Sequence, residues 1–81
     1  MKNIIIIGAT SGIGRAVAEI YLAQGHRVGV TGRRTALLEE FASAAPAGRV
    51  FTRTFDVSSG DAAAQLAALV DEMGGVDICL Y

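Results

Sequence analysis

Four short apolar runs recur at near-even spacing along the chain, and three stretches with helical periodicity separate them. The runs combine Ile and Val with Phe and Thr, as pleated sheets prefer, and they are Asn3–Ile7, Arg27–Thr31, Val50–Phe55 and Val76–Leu80. Strands that alternate with helices indicate a parallel sheet, because parallel strands need long crossover connections, and these are right-handed as a rule. The sequence therefore predicts an α/β fold of order β-α-β-α-β-α-β, with the first, almost wholly apolar strand buried on both faces.

Each intervening stretch carries an apolar stripe. In the first predicted helix, which ends near Gly25, the stripe consists of Ile13, Ala16, Val17, Ile20 and Tyr21. The second is predicted to begin at Thr35 as N-cap and to stop before Pro46, with the apolar face Leu37, Leu38 and Phe41. The third opens with Ser58 and Asp61 in capping-box spacing, and its apolar positions are Leu66, Leu69, Val70 and Met73.

Size and charge narrow the function classes. A chain of 81 residues forms at most one small domain, and its formal net charge of −1 gives no electrostatic footprint for nucleic acid or an anionic membrane. No apolar run approaches the length of a membrane span, so we expect a cytoplasmic protein. The single cysteine, Cys79, excludes an internal disulfide and a multi-cysteine metal site, and its apolar surroundings predict a buried side chain.

A glycine-rich segment follows the first strand directly and opens the first helix. It reads Gly8-Ala9-Thr10-Ser11-Gly12-Ile13-Gly14. The N-terminus of a helix offers unpaired N–H donors and a partial positive charge, and glycines let an anion approach the backbone. The segment is typical of a phosphate-binding turn, although glycine clusters also occur in plain strand–helix turns.

A basic pair follows the second strand, where the sequence reads Gly32-Arg33-Arg34. In doubly wound dinucleotide-binding folds this strand end lies beside the adenosine ribose, about 20 residues past the glycine turn, and an acidic residue there binds the 2′-hydroxyl. Arginine instead makes charge-assisted contacts to phosphate, so the pair predicts NADP rather than NAD. The alternative is that both arginines are simply solvated.

An acidic residue ends the third strand, in the pair Asp56–Val57. A carboxylate with a backbone amide beside it could bind the edge of an adenine ring. The alternative is an ordinary turn or cap role, which is common for aspartate at the end of a strand.

Taken together, these motifs resemble the classical short-chain dehydrogenase/reductase family. The matching segments are "GATSGIG" for its T-G-x-x-x-G-x-G loop, "VTGRR" at the second strand end, "DV" after the third, and "VDICLY" where the family's fourth strand leads to N-N-A-G. The resemblance implies a Rossmann-type doubly wound sheet of strand order 3-2-1-4, truncated after the fourth strand. Residues 1–81 would then be the N-terminal, NAD(P)-binding part of an oxidoreductase that acts on alcohols or carbonyls, and we expect the complete protein to be a homo-oligomer.

The resemblance also implies roles for individual residues. Gly8, Gly12 and Gly14 would shape the loop, with the backbone near Ile13 facing the pyrophosphate. Thr10 and Ser11 would line the ribose and phosphate side, Arg33, with Arg34 as a second candidate, would meet the 2′-phosphate, and Asp56 with Val57 would hold the adenine. Two departures stand out: Ser11 replaces a basic residue found in some NADP-preferring members, and Tyr81 stands where N-N-A-G often begins.

The family's proton-transfer groups, a Ser and a Tyr-x-x-x-Lys pair, have no counterpart in the sequence. Lys2 is the only lysine, and Tyr21 is followed four residues later by Gly25. We therefore expect the 81-residue chain alone to be inactive. Two other hypotheses stay open: a non-catalytic dinucleotide sensor of the same fold, and a generic α/β domain without a ligand.

Overall fold

The computed structural model describes residues 1–8, 12–46, 48–56 and 58–80. Within these ranges the elements are β1 (Asn3–Ile7), α1 (Gly12–Ala23), β2 (Arg27–Gly32), α2 (Thr35–Ser43), β3 (Val50–Thr54), α3 (Ala62–Met73) and β4 (Ile78–Leu80). The strands pair in parallel in the order β3-β2-β1-β4. The predicted α/β fold and strand order are confirmed, and the only shift of more than one residue at a strand end is at β4, which begins at Ile78 rather than Val76.

Strand β1 forms the centre of the sheet. It pairs with β2 on one side and with β4 on the other, and the side chains of Ile4 and Ile5 are fully buried. Because successive side chains of a strand point to opposite faces, burial of both residues requires cover on both faces of the sheet. The prediction of a doubly covered first strand is confirmed.

Helices cover the two faces of the sheet unequally. The face of Ile4 and Ile6 packs against α1 and α2 in a core that includes Ala18, Val28, Val30, Leu38 and Phe41. The opposite face packs against α3 alone, in a smaller core of Ile5, Leu69 and Met73. The result is a three-layer α/β/α arrangement. None of the helices in the described part of the chain has the length and apolar character that a membrane crossing requires.

Gly29 allows α3 to approach the sheet closely. A Cβ at this position would lie 2.7 Å from Met73 Sδ, 3.3 Å from Ile5 Cγ1 and 3.3 Å from Leu69 Cδ2. The space that a side chain would need is therefore already filled by the core beneath α3. Glycine in β2 is a packing requirement here.

Asn3 joins three elements at the amino-terminal end of the sheet. Its side-chain amide donates to the carbonyls of Met73 (3.1 Å) and Gly75 (3.0 Å), so it binds the end of α3. Its backbone N–H donates to Asp77 Oδ2 (2.8 Å), and its carbonyl accepts from the N–H of Asp77 (2.8 Å). This buried asparagine fixes the connection between α3 and β4.

The predicted apolar stripe of α1 is wrong in part. Ile13 is 83 % exposed and Ile20 is 56 % exposed, whereas Ala18 is fully buried. Val17, Tyr21 and Leu22 pack against the core beside Ala18. The small alanine permits close contact with the sheet, and the side chains of Ile13 and Ile20 lie outside the core.

Three local predictions are wrong as well. The Thr35 hydroxyl pairs with the Thr54 hydroxyl (3.1 Å), and Arg34 occupies the N-cap position of α2. Ser58 bonds to Asp56 rather than to the first turn of α3, whose N-cap is Asp61. Cys79 is exposed, because it lies in β4, an edge strand of the described sheet, on the face where α3 packs against Ile5 of β1 and Phe51 of β3.

Replacing Gly29 with valine tests the packing beneath α3. We expect Gly29→Val to lower the free energy of unfolding by about 1–3 kcal/mol, the usual cost of overpacking a core. Denaturant unfolding measures the change. The control is Gly60→Val in the turn before α3, where none of the described neighbours lies within 4 Å of an added Cβ. Equal losses for the two variants would contradict the role given to Gly29.

Candidate functional site

The carboxyl ends of the four described strands lie along one edge of the sheet. Gly8 follows β1, Arg33 follows β2, Asp56 lies two residues past β3, and Leu80 ends β4. The parallel register brings these ends side by side, with Ile7 beside Thr31 and Gly32 beside Thr54. Ligands of open α/β sheets bind in the crevice outside the carboxyl ends of the strands. The predicted site residues therefore converge on the edge where a ligand is expected.

Gly8 turns the chain away from β1. Its φ of 84° lies in the left-handed region that favours glycine. Its N–H donates to the carbonyl of Thr31 at 3.0 Å and lies 3.4 Å from the Thr31 hydroxyl. Thr31 is buried within β2, so the neighbouring strand holds the first residue of the glycine segment in place.

Gly12 begins α1, again with a positive φ, of 63°. Among the described residues, no heavy atom lies within 4 Å of the position that a Cβ on Gly8 or Gly12 would occupy, chain neighbours aside. The N–H groups of the first helical turn have no partner within the helix and carry its partial positive charge. Thr10 and Ser11, which we expected to line the ribose and phosphate side, lie outside the described residues.

A cavity of about 350 Å³ lies beside the glycine segment, where β1, β4 and the start of α1 meet. It is lined by Ile6, Ile7, Gly8, Ile13, Gly14, Val17 and Leu80. Its volume falls within the range of about 300–1,000 Å³ that is usual for small-molecule sites. The structure thus brings Gly8, Ile13 and Gly14 together around one space, and the Ile13 side chain is exposed.

A larger cavity of about 480 Å³ lies between α1 and α2. Arg15 at its rim lies 3.3 Å from Glu19 and 3.8 Å from Glu40, and its guanidinium stands 5.9 Å from the centre of the Phe41 ring. These contacts join the two helices across the groove. Its lining residues lie along α1 from Arg15 to Ala23 and at the end of α2 and the turn that follows, and they do not include Gly8, Gly12 or Gly14. We therefore place the candidate site at the smaller cavity.

A second part of the site lies past the ends of β2 and β3. The Arg33 guanidinium stands 4.0 Å from Asp56 Oδ2, with the two side chains 77 % and 43 % exposed. Arg34, at the N-cap of α2, is also exposed. The structure therefore pairs two of the predicted site residues, Arg33 and Asp56, at the ends of adjacent strands.

Asp56 is held by the residue two positions later. The N–H of Ser58 donates to Asp56 Oδ1 at 2.9 Å, and the Ser58 hydroxyl donates to the same oxygen at 2.8 Å. These bonds, helped by the nearby positive charge of Arg33, hold the pKa of the Asp56 carboxyl below its ordinary value. Asp56 is therefore an anion at neutral pH, with Oδ2 turned toward Arg33.

Two residues that hold site residues in position were not predicted from the sequence. Thr31 holds Gly8, and its only signal was a polar side chain inside an apolar strand. Ser58 holds Asp56, and the Asp-x-Ser spacing is typical of such a turn and could have indicated it.

Val57, predicted beside the adenine, lies outside the described residues. Within the described ranges, no three His, Cys, Asp or Glu side chains are grouped as a metal site would require.

Comparison with known proteins supports one family. The sequence profile described as short chain dehydrogenase matches residues 2–81. Serine 3-dehydrogenase of Agrobacterium fabrum is 44 % identical over 78 residues, which are 94 % of this chain and 30 % of that protein. The match therefore spans nearly the whole chain but less than a third of the relative.

Solved structures agree with the sequence match. Serine dehydrogenase from Escherichia coli superposes with a TM-score of 0.84 at 31 % identity, over 95 % of this chain and 35 % of that one. An alcohol dehydrogenase from Thermococcus sibiricus, solved in complex with 5-hydroxy-NADP, gives a TM-score of 0.88 at 28 % identity, over 98 % of this chain and 35 % of that one. The chain spans about a third of the length of these proteins. With its Rossmann-type sheet and its glycine turn, it belongs to the short-chain dehydrogenase family of oxidoreductases.

Proposed function

We propose that the chain is the NADP-binding part of an oxidoreductase that transfers hydride between a nicotinamide cofactor and an alcohol or carbonyl substrate. The observation that carries the proposal is the glycine segment between β1 and α1. It combines two left-handed glycines, a helix N-terminus and an adjoining cavity at the carboxyl edge of the sheet. Family membership adds to this, since short-chain dehydrogenases use nicotinamide cofactors.

The residues present fit a dinucleotide. The space around Gly8 and Gly12 would be reduced by any side chain at either position, and both backbone conformations favour glycine. A diphosphate would approach the N–H groups of the first turn of α1, where the helix dipole favours negative charge. Gly8, Gly12 and Gly14 with the Ile13 backbone would hold the pyrophosphate, and Thr10 and Ser11 would lie nearby.

The preference for NADP is proposed from the end of β2. Arg33 follows Gly32 at the strand end that lies beside the adenosine ribose in this class of fold. Its side chain is 77 % exposed and so is accessible to an incoming 2′-phosphate. Arg34 is one residue further along and exposed as well, while Asp56 and Val57 would hold the adenine.

The bound nicotinamide would supply the hydride acceptor or donor. The residues of this chain bind and orient the adenosine and diphosphate, and its only lysine, Lys2, precedes β1 at the opposite end of the sheet. We therefore propose that residues 1–81 alone bind the dinucleotide without turning over a substrate. A homo-oligomeric, cytoplasmic protein also remains our expectation.

Replacing Gly12 with alanine tests the glycine turn. A side chain in the left-handed region costs about 1–2 kcal/mol, so we expect the Kd of NADP and of NAD to rise about tenfold each. Calorimetric titration of the complete protein that carries this chain measures both constants. The ratio of the two should not change, because both dinucleotides share the diphosphate.

Gly60→Ala is the control for this change, since Gly60 is also an exposed glycine in a turn but lies outside the proposed site. An unchanged Kd in Gly12→Ala, with the fold intact by circular dichroism, would contradict the proposed phosphate contact. Binding of the dinucleotide by a complete protein that oxidises no alcohol and reduces no carbonyl would favour the sensor hypothesis over the enzyme.

Replacing Arg33 with aspartate tests the cofactor preference. The variant loses a charged hydrogen bond and gains a repulsive charge, so we expect the preference to shift toward NAD by about 2–4 kcal/mol. Titration with NADP and NAD at equal ionic strength measures the shift. Arg34→Asp carries the same charge change one residue away, and an equal shift there would show that general charge, not Arg33, sets the preference.

A further inference from the structure

The carboxylate of Asp56 has contacts that binding of the adenine ring would not require. One of its carboxylate oxygens, Oδ1, accepts both hydrogen bonds from Ser58, while the other, Oδ2, lies 4.0 Å from the Arg33 guanidinium. The first pair of bonds fixes the direction of the carboxylate. The second oxygen is therefore directed at the cation that we propose to bind the 2′-phosphate.

The two anions would compete for one guanidinium. A phosphate monoester carries up to two negative charges, and Arg33 is the cation that the structure places against Asp56. When the phosphate approaches, Arg33 must leave Asp56 or share its donors, and the carboxylate also repels the phosphate. A ligand with a free 2′-hydroxyl meets neither cost.

We infer that Asp56 is a specificity-determining residue that lowers the NADP preference by holding Arg33, an inference that rests on the proposed function. Arg33 and Asp56 together, rather than the arginine alone, set the ratio of NADP affinity to NAD affinity. The carboxylate moderates a preference that the arginine creates. Ser58 acts as a positioning residue, because it holds the carboxylate in the direction of Arg33.

The charge state of Asp56 supports this inference. Since the Ser58 bonds and Arg33 keep its pKa below the ordinary value, Asp56 remains an anion throughout the pH range of a binding assay. The 2′-phosphate titrates near pH 6, so an assay at about pH 8 keeps both groups fully charged. Low ionic strength keeps the interaction between these exposed charges measurable.

Asp56→Asn removes the charge and retains an oxygen that can accept from Ser58. In the complete protein at low salt, we expect the ratio of NADP affinity to NAD affinity to rise about threefold to tenfold. Asp61→Asn is the matched control: Asp61 lies in the same β3–α3 loop and is bonded to Ser59 and Gln65. Its removal should leave the ratio unchanged.

A double-mutant cycle separates action through Arg33 from direct repulsion. In the Arg33→Ala background, Asp56→Asn should change the ratio less than about twofold, because the contact to be released is already gone. An equal increase in that background would overturn the inference, and so would an unchanged or lower ratio in Asp56→Asn alone. If Asp56→Asn does not fold, Asp56→Ser removes the same charge and is judged by the same outcomes.

The proposed function and the inference about Asp56 would be contradicted by different results of the titrations. If the wild-type protein bound neither NADP nor NAD, the proposed site would be wrong and the inference would fall with it. If both dinucleotides bind and only the effect of Asp56→Asn is missing, the inference alone is overturned. The two failures are therefore distinguishable in one set of titrations.

Discussion

The arrangement of the site depends on the parallel pairing of β1 between β2 and β4. A buried strand must satisfy its backbone groups on both sides, and here parallel neighbours do so. Parallel neighbours require a crossover after each strand, so every turn that leaves a carboxyl end lies at the same edge of the sheet. The chain thereby gathers Gly8, Arg33 and Asp56, which are far apart in sequence, into one crevice.

In the proposed function, affinity and discrimination would arise from different parts of this crevice. The start of α1 would offer backbone N–H groups to a diphosphate, which NAD and NADP have in common, so it would contribute equally to both. Side chains past β2 and β3 would contact the part of the ligand that differs. A change in Arg33 or Asp56 would then alter cofactor preference without changing Gly8 or Gly12.

The sequence predicted the elements well and their local contacts less well. Strands and helices follow from residue type and periodicity, which is why β1 and the apolar face of α3 were confirmed. In α1 the buried positions centre on Ala18, so periodicity alone gave Ile13 and Ile20 the wrong surroundings. Cys79 is exposed in β4, an edge strand of the described sheet, and its apolar neighbours in sequence do not reveal the strand order.

Side-chain partners were hardest to foresee. The hydroxyl of Thr35 and that of Ser58 each satisfy a cap pattern in sequence, yet Thr35 bonds to Thr54, which only the packed strands bring near, and Ser58 bonds to its local neighbour Asp56. The glycine positions were the easier part of the site, because their backbone conformations are dictated locally. The pairing of Arg33 with Asp56 required the register of β2 on β3, which no short motif encodes.

Asn3, at the start of β1, helps to set the register in which β4 pairs with β1. Strand β4 has three residues, too few for its ladder alone to exclude a slip along β1. A slip by one position would carry Ile78 and Leu80 to the opposite face and pull Asp77 away from the backbone of Asn3. The contact between Asn3 and Asp77 thus fixes the register of β4, and this register places Leu80 at the wall of the cavity.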